Sequence, residues 1–197
     1  DGNKSLMILC NDNVRVALVT THLPIAKVPE AITKDAIVEK LRIFNESLKK
    51  DFGFDCPRIA VLSLNPHAGE NGLLGKEEQE VIMPAIEDAQ GEKIQCFGPY
   101  AADGLFGSGQ FSRFDGILAM YHDQGHIAFK VGGFEWDRET QRMVAVKGVN
   151  ITLGLPIIRV SVDHGTAFDV AGKGIANPDA MVMSIEYAAL MAKNRKK

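Results

Sequence analysis

The chain has 197 residues, of which 46% are hydrophobic and 24% are charged, and its formal net charge is −3 at pH 7. This composition is typical of a globular protein of one or two domains and argues against a disordered chain. The basic residues are dispersed, apart from a Lys/Arg-rich end at 193–197, so we expect no nucleic-acid-binding surface. No apolar run approaches the roughly 20 residues of a membrane span and no signal peptide is evident, so a cytoplasmic protein without membrane contact is expected.

The order of apolar runs along the chain predicts alternating strands and helices. Strands are expected at 14–20, 59–64, 94–97, 116–120 and 157–162, the last as a buried strand. One helix should run from Thr33 as N-cap to Gly53, and another from about Lys76 with a kink at Pro84. A projecting hairpin is expected from 134–136 and 143–146. A final helix should start after Asp179 as N-cap, with its apolar positions at Met181, Ile185, Ala188 and Met191.

The three cysteines, Cys10, Cys56 and Cys96, are far apart and lack a CxxC spacing. This usage favours reduced, structural thiols in a cytoplasmic protein rather than a disulfide framework or a catalytic thiol.

Three of the apolar runs end on a histidine: RVALVTTH at 15–22, IAVLSLNPH at 59–67 and DGILAMYH at 115–122. Strands of an open α/β sheet place their carboxyl ends along one edge, where such folds build their sites. His22, His67 and His122 are therefore predicted to share one metal centre, because imidazole suits zinc, cobalt, nickel or iron and three protein ligands leave a position open. The alternative is three separate loop histidines, each satisfied by the backbone.

Four ordered motifs resemble a known enzyme family. They are TTHLP at 20–24, NPHAGENGLLGKEE at 65–78, YHDQG at 121–125 and VNITLGLPIIRVSVDHGTAFDVAGKG at 149–174. Together they resemble the 4-hydroxythreonine-4-phosphate dehydrogenases of pyridoxal phosphate biosynthesis, over nearly the whole chain from about Val14. The resemblance implies an α/β fold of the three-layer α/β/α type found in the isocitrate and isopropylmalate dehydrogenases.

The resemblance also implies a reaction and a metal. The reaction is NAD-dependent oxidation of 4-phosphooxy-L-threonine, followed by loss of carbon dioxide to give 3-amino-2-oxopropyl phosphate. The metal is a divalent ion on His22, His67 and His122, zinc first, with magnesium, cobalt and manganese as alternatives, at a homodimer interface with ligands from both subunits. Such an ion would acidify the substrate hydroxyl, polarise the ketone and stabilise the enolate. Asp103 and Asp123 are candidate catalytic residues that orient ligands or move protons, although a loop-capping role fits them equally well.

By the same resemblance, the substrate is bound by Lys130, Asn150 and Arg159. Two cations and an amide suit a substrate that carries a phosphate and a carboxylate. Arg159 ends an apolar run and would need an anionic partner if buried, whereas Lys130 could equally be a surface lysine. The chain has no GxGxxG, so a Rossmann site is not supported. The residues that match the cofactor loop of the wider dehydrogenase group are His164, Gly165, Thr166, Ala167 and Asn177.

The family is usually much longer, so we expect the N-terminal part to be missing here. Residues 1–158 would then be a metal-binding and dimerisation domain, and residues 159–197 the C-terminal segment of the cofactor-binding domain, with an apolar face that is exposed or repacked. The segment 131–148 is longer than the family pattern. His126 stands where the family commonly has an apolar residue, and it is expected to be partly exposed.

Three alternatives stay open. A dehydrogenase of the same family that acts on a phosphorylated threonate would keep every metal and cofactor motif. Phosphate acyltransferases share a related fold, but they use neither NAD nor this histidine set. The chain could also be a metal-binding dimerisation fragment without turnover.

Overall fold

The computed structural model describes residues 5–139, 142–163, 168 and 171–196. The strands are β1 Leu6–Cys10, β2 Arg15–Leu18, β3 Arg58–Leu62, β4 Gln95–Tyr100, β5 Gly116–Ala119, β6 Phe134–Asp137, β7 Arg142–Val146, β8 Val149–Leu153 and β9 Arg159–Val162. The α-helices are α1 Val28–Ala31, α2 Lys34–Lys50, α3 Met83–Gly91, α4 Ala102–Gly107, α5 His122–Gly133 and α6 Asp179–Asn194. A 3-10 segment covers Pro66–Gly72, and a π-helical turn, Glu78–Ile82, leads into α3.

Seven strands form one mixed sheet in the order β4-β3-β5-β2-β1-β8-β9. The half formed by β4, β3, β5 and β2 is parallel, whereas β1, β8 and β9 continue it with antiparallel pairings. Strands β6 and β7 pair with each other outside this sheet as an antiparallel hairpin. The sheet therefore has two halves of different polarity, and β2 and β1 meet at the boundary.

Helices cover both faces of the sheet, which confirms the predicted three-layer α/β/α arrangement. The reason is visible in β5 and the residue after it, where Leu118 and Met120 face one core cluster and Ile117 and Ala119 face the other. Strands with both faces apolar need a helix layer on each side. Helices α2, α3 and α6 contribute to the larger cluster, and α4 and α5 contribute Leu105 and Phe129 to the smaller one.

Several local predictions hold. Thr33 caps α2, since its hydroxyl accepts a hydrogen bond from the Ala36 N–H at 3.2 Å. The helix expected from about Lys76 is present as the π-helical turn and α3, which meet at Met83, directly before Pro84. The hairpin expected at 134–146 is present as β6 and β7.

Other local predictions were wrong. Strand β9 is an edge strand with an exposed Arg159 rather than a buried strand, because a short apolar run does not distinguish a central strand from an edge. Asp179 is the first residue of α6 and not its N-cap. The Asn177 side chain accepts a hydrogen bond from the backbone N–H of Asp179 at 2.8 Å. Helix α6 buries Tyr187 and Met191, while Met181 and Ile185 are exposed.

Cys10 and Cys96 are buried free thiols and Cys56 is an exposed one. Burial raises the pKa of Cys10 and of Cys96 to about 11, so both stay protonated at neutral pH. Across the described residues, none of the helices combines the length and the apolar character that crossing a lipid bilayer requires.

Candidate functional site

Three neighbouring strands bring the predicted histidines to one edge of the sheet. Strand β5 lies between β3 and β2 and is parallel to both, so the carboxyl ends of the three strands share an edge. His22, His67 and His122 each follow one of these ends. The backbone N–H of Thr20 donates to the Met120 carbonyl at 3.1 Å, and the Thr20 hydroxyl donates to the same carbonyl at 2.7 Å. These bonds tie the segment before His22 to the segment before His122.

His122 is the first residue of α5, and its imidazole has a neighbour on each side. The ring centroids of His22 and His122 are 6.0 Å apart. Nδ1 of His122 lies 2.7 Å from a carboxylate oxygen of Asp123, and its Nε2 lies 3.0 Å from Nδ1 of His126. An ionised carboxylate only accepts hydrogen bonds, so a neutral His122 carries its proton on Nδ1 and presents the lone pair of Nε2. This is the tautomer that a metal-ligating histidine uses when a carboxylate orients it.

His126 lies one helical turn after His122 and is buried, with 6% of its surface exposed, so the expectation of a partly exposed side chain was wrong. Burial lowers the pKa of His126 to about 4, and its electrostatic interactions with His122 and Lys130 act in the same direction. The imidazole is therefore neutral at physiological pH. Its Nε2 is buried without a hydrogen-bond partner among the described residues.

His67 lies on an unusual stretch of backbone after β3. Residues 67–71 all have left-handed φ and ψ angles, beginning with φ 52° and ψ 31° at His67. Glycine occupies only one of these five positions, and the other residue types pay a steric cost in this conformation. The segment is not a regular helix, and its shape must be imposed by contacts with neighbouring residues.

The buried carboxylate of Glu78 supplies such contacts. Its Oε1 accepts hydrogen bonds from the backbone N–H groups of Leu64 and Asn65, both at 2.8 Å. Its Oε2 accepts from Nδ2 of Asn65 at 3.0 Å, and the same Nδ2 donates to Glu77 at 2.7 Å. The residues directly before His67 are thus fixed from the first turn of the following helix.

A cleft of about 1170 Å³ lies between α4 and α5. The exposed Asp103 reaches it from α4, and His67 and Asp123 reach it from the sheet edge and α5. Its walls also contain apolar side chains, namely Phe106, Phe111, Ile127 and Val131. The cleft therefore brings one candidate metal ligand and both candidate catalytic aspartates to a common space.

The side chain of Gln124 crosses from α5 to the neighbouring loop. Its Oε1 accepts from the Met120 N–H at 2.8 Å, and its Nε2 donates to the Ser63 carbonyl at 2.6 Å. Sequence reasoning missed both Gln124 and Glu78 as site residues. The signal that was available is their place inside the YHDQG and NPHAGENGLLGKEE motifs.

The predicted substrate-binding residues lie away from the walls of this cleft, as far as the described residues show. The half-exposed Lys130 lies on α5 with its Nζ 3.9 Å from a carboxylate oxygen of Asp163. Asn150 is on β8, and its Oδ1 is buried without a hydrogen-bond partner in the described structure. Arg159 is exposed, so it needs no buried anionic partner, and it donates to the Thr152 hydroxyl at 2.7 Å.

Most of the predicted cofactor loop cannot be placed. His164, Gly165, Thr166 and Ala167 lie outside the described residues. Asn177 is exposed just before α6, where its Oδ1 accepts from the Asp179 N–H.

The residues fit a divalent metal in their chemistry. His22 and His122 are neighbouring imidazoles, Asp123 orients His122, and imidazole is a common ligand of zinc and similar ions. Within the described part of a single chain, however, no group of three histidine, cysteine or acidic side chains is close enough to hold a metal. A site with ligands from two subunits is compatible with this geometry, and the three-histidine centre stays a prediction.

Comparison with known proteins decides the family. A family model described as pyridoxal phosphate biosynthetic protein PdxA matches residues 1–188. The chain belongs to the PdxA family. Membership of the PdxA family argues against the acyltransferase alternative.

Individual members of the PdxA family agree with this assignment. A 4-hydroxythreonine-4-phosphate dehydrogenase from Bacteroides thetaiotaomicron is 54% identical over 197 residues, which is 100% of this chain and 51% of that protein. A Bradyrhizobium diazoefficiens protein, provisionally named a D-threonate 4-phosphate dehydrogenase, is 46% identical over 95% of this chain and 54% of its own length. The crystal structure of a 4-hydroxythreonine-4-phosphate dehydrogenase from Klebsiella pneumoniae superimposes with a TM-score of 0.79 at 36% identity, covering 96% of this chain and 55% of that one. The chain thus spans about half the length of the relatives it matches.

Proposed function

We propose that the protein containing this chain is a cytoplasmic dehydrogenase of pyridoxine biosynthesis. It oxidises the hydroxyl of 4-phosphooxy-L-threonine with NAD, and the resulting β-keto acid loses carbon dioxide to give 3-amino-2-oxopropyl phosphate. The observation that carries the proposal is the 54% identity, over the whole chain, to a 4-hydroxythreonine-4-phosphate dehydrogenase. The sheet edge that carries His22, His67 and His122, with the cleft beside it, supports the proposal because it offers a place for the reaction.

The proposed metal ligands are His22, His67 and His122, with ligands from both subunits of a homodimer. When bound, a divalent ion such as zinc, magnesium, cobalt or manganese would acidify the substrate hydroxyl and polarise the ketone formed from it. Asp123 accepts a hydrogen bond from Nδ1 of His122 and so leaves the lone pair on Nε2, the atom that lies 3.0 Å from Nδ1 of His126 and that would bind the metal in place of that contact. Asp103 lines the cleft, and in this proposal it would accept or deliver a proton.

The proposed substrate contacts are two cations and an amide. Lys130 and Arg159 would bind the phosphate and carboxylate groups, because charge-assisted hydrogen bonds are the strong ones. Asn150 has a buried Oδ1 without a partner in the described structure, and a substrate hydroxyl or ammonium group could donate to it. For NAD, the proposed contacts are His164, Gly165, Thr166, Ala167 and Asn177, of which only Asn177 lies within the described residues.

A direct test measures NADH formation by the full-length protein from 4-phosphooxy-L-threonine in the presence of a divalent metal. We expect turnover that a chelator abolishes and that added metal restores. His22→Ala should lose both turnover and bound metal, whereas Glu87→Ala, an exposed change on α3, should lose neither. Bound metal retained by His22→Ala would refute the proposed ligand set.

The second candidate substrate is a phosphorylated threonate, and the Bradyrhizobium relative supports it. The two substrates differ in whether an amino or a hydroxyl group stands next to the carboxylate. A comparison of kcat/KM for the two substrates on the same enzyme preparation decides between them. Metal binding without turnover of either compound would instead favour the non-catalytic dimerisation module.

A further inference from the structure

The loop that presents His67 has a conformation that its own residues do not favour. His67, Ala68, Glu70 and Asn71 have φ values of 52°, 51°, 43° and 57°, all in the left-handed region that non-glycine residues rarely adopt. Runs of such residues persist only where the surroundings impose them, and they cluster at functional sites. The direction of the His67 side chain therefore depends on whatever fixes the start of this run.

The start of the run is fixed by Glu78. Only 2% of this residue is exposed, and its carboxylate takes three hydrogen bonds from Leu64 and Asn65, the second and third residues before His67. Glu78 also begins a π-helical turn, a local irregularity that is frequent at functional sites. The Glu78 carboxylate thus connects the start of the helical segment to the loop before His67.

Charge pairing does not explain why a carboxylate is buried here. Among the described residues, no lysine or arginine forms a salt bridge with Glu78. Burying an ionised group is costly unless hydrogen bonds compensate, and here the compensating donors all belong to the His67 loop. The loop also closes tightly around the carboxylate, since a Cβ at Gly69 would lie 2.5 Å from Oε2 of Glu78.

We propose that Glu78 is a positioning residue for His67. It holds the left-handed loop so that the imidazole faces the candidate metal centre, and it does not itself touch the metal or the substrate. This inference rests on the proposed function, because it takes His67 as a metal ligand.

The test measures zinc affinity of the full-length protein by competition with a chromophoric chelator. Glu78→Ala should weaken zinc binding by about 10- to 100-fold, the usual effect of removing a group that orients a metal ligand. Glu78→Gln should recover part of this loss, because its amide oxygen can still accept from the N–H groups of Leu64 and Asn65. Glu80→Ala, on the exposed side of the same π-helical turn, should bind zinc like the wild type.

A double-mutant cycle with His67→Ala separates positioning from general destabilisation. Once His67 is absent, Glu78→Ala should cost no further zinc affinity, whereas a purely structural role would make the two losses add. If Glu78→Ala does not fold, Asn65→Ala removes one of the three hydrogen bonds and takes its place in the cycle.

The outcomes distinguish a failure of the metal assignment from a failure of the role proposed for Glu78. If His67→Ala binds zinc as tightly as the wild type, His67 is not a ligand, and both the metal assignment and the role of Glu78 fall. If His67→Ala loses zinc affinity but Glu78→Ala does not, or if the losses add, the proposed function stands and the role of Glu78 is refuted.

Discussion

The loops after β3 and β5 each deliver a histidine to the same edge of the sheet, but they fix it by different means. His67 is fixed through its backbone, by a left-handed run of residues that the buried Glu78 holds at its start. His122 is fixed through its side chain, by Asp123 on one ring nitrogen and His126 on the other, at the start of a regular helix.

Because of this difference, substitutions near His67 and near His122 should affect stability and metal binding differently. The contacts that place His67 are buried and belong to the packing of the loop, so changes there should affect stability and metal binding together. The side chains of His122 and Asp123 are 42% and 71% exposed, so changes at Asp123 should affect metal binding alone.

The largest effect is expected from Gly75→Ala in the His67 loop. Gly75 has a φ of +130°, which is open only to glycine, and a Cβ there would lie 2.3 Å from Nδ2 of Asn65. The Asn65 side chain donates to both Glu77 and Glu78, so it cannot move aside without breaking these hydrogen bonds. We expect a loss of about 3 kcal/mol in the free energy of unfolding, measured by urea denaturation, together with weaker metal binding.

The matched control is Gly104→Ala on α4, where a Cβ would meet nothing within 4 Å. Alanine favours a helix over glycine, so this variant should be as stable as the wild type or slightly more stable. A Gly75→Ala protein with wild-type stability would show that the loop conformation is not tightly imposed.

Asp123→Ala should have the next largest effect, and only on metal binding. Removing the carboxylate that orients His122 should weaken metal affinity by about 10- to 100-fold. The free energy of unfolding of the metal-free protein should stay within about 0.5 kcal/mol of the wild type, because Asp123 is exposed. Chelator competition measures the metal affinity, and urea denaturation measures the stability. A loss of stability without a loss of metal affinity would contradict the expectation that Asp123 acts on metal binding alone.

His126→Leu tests the other partner of His122 through pH. The folded protein holds the pKa of His126 at about 4, while in the unfolded chain it returns to its ordinary value near 6.5. Between these values the unfolded chain binds more protons, so this contribution to stability is complete above pH 6.5 and is lost as the pH falls toward 4. His126→Leu should remove this loss, which is on the order of 2 kcal/mol at pH 5.

The measurement is urea denaturation of both proteins at pH 5 and pH 8, with a chelator present so that no metal competes for His122. We expect the stability of His126→Leu relative to the wild type to rise on going from pH 8 to pH 5. An equal difference between the two proteins at both pH values would mean that His126 is not held neutral by the fold.

The sequence predicted the strands β2, β3 and β5 because their apolar runs are bounded by clear turn residues, and the shared edge of the histidines follows from the parallel arrangement of these strands. It did not predict α5, because the polar start HDQG with its glycine at 125 carries little helical signal. In the structure Gly125 is needed, since a Cβ there would lie 2.5 Å from Val16 on the sheet below. Long-range packing of this kind leaves little local signal.

The left-handed run at 67–71 was equally beyond local reasoning. Only one of its five residues is glycine, and the group that imposes the conformation, Glu78, lies 13 residues after Asn65. The burial of His126 was missed for a related reason, because helical spacing shows which residues share a face but not which element packs on that face. In both cases the sequence named the histidines, and tertiary contacts set their environment.

The smallest effect is expected from Gln124→Glu, which tests whether the two loops are independent. Gln124 donates to the Ser63 carbonyl from one side-chain atom and accepts from the Met120 N–H with the other, so it links the ends of β3 and β5. A carboxylate keeps the second bond and loses the first, which should cost about 1 kcal/mol in the free energy of unfolding. Gln79→Glu, an exposed change near the His67 loop, is the control and should cost much less.

Because Ser63 directly precedes Leu64, whose N–H donates to Glu78, we expect the losses from Gln124→Glu and Asn65→Ala to be non-additive by at least about 0.5 kcal/mol. Strict additivity in that cycle would mean that the His67 and His122 loops are placed independently, and that the sheet edge alone brings them together.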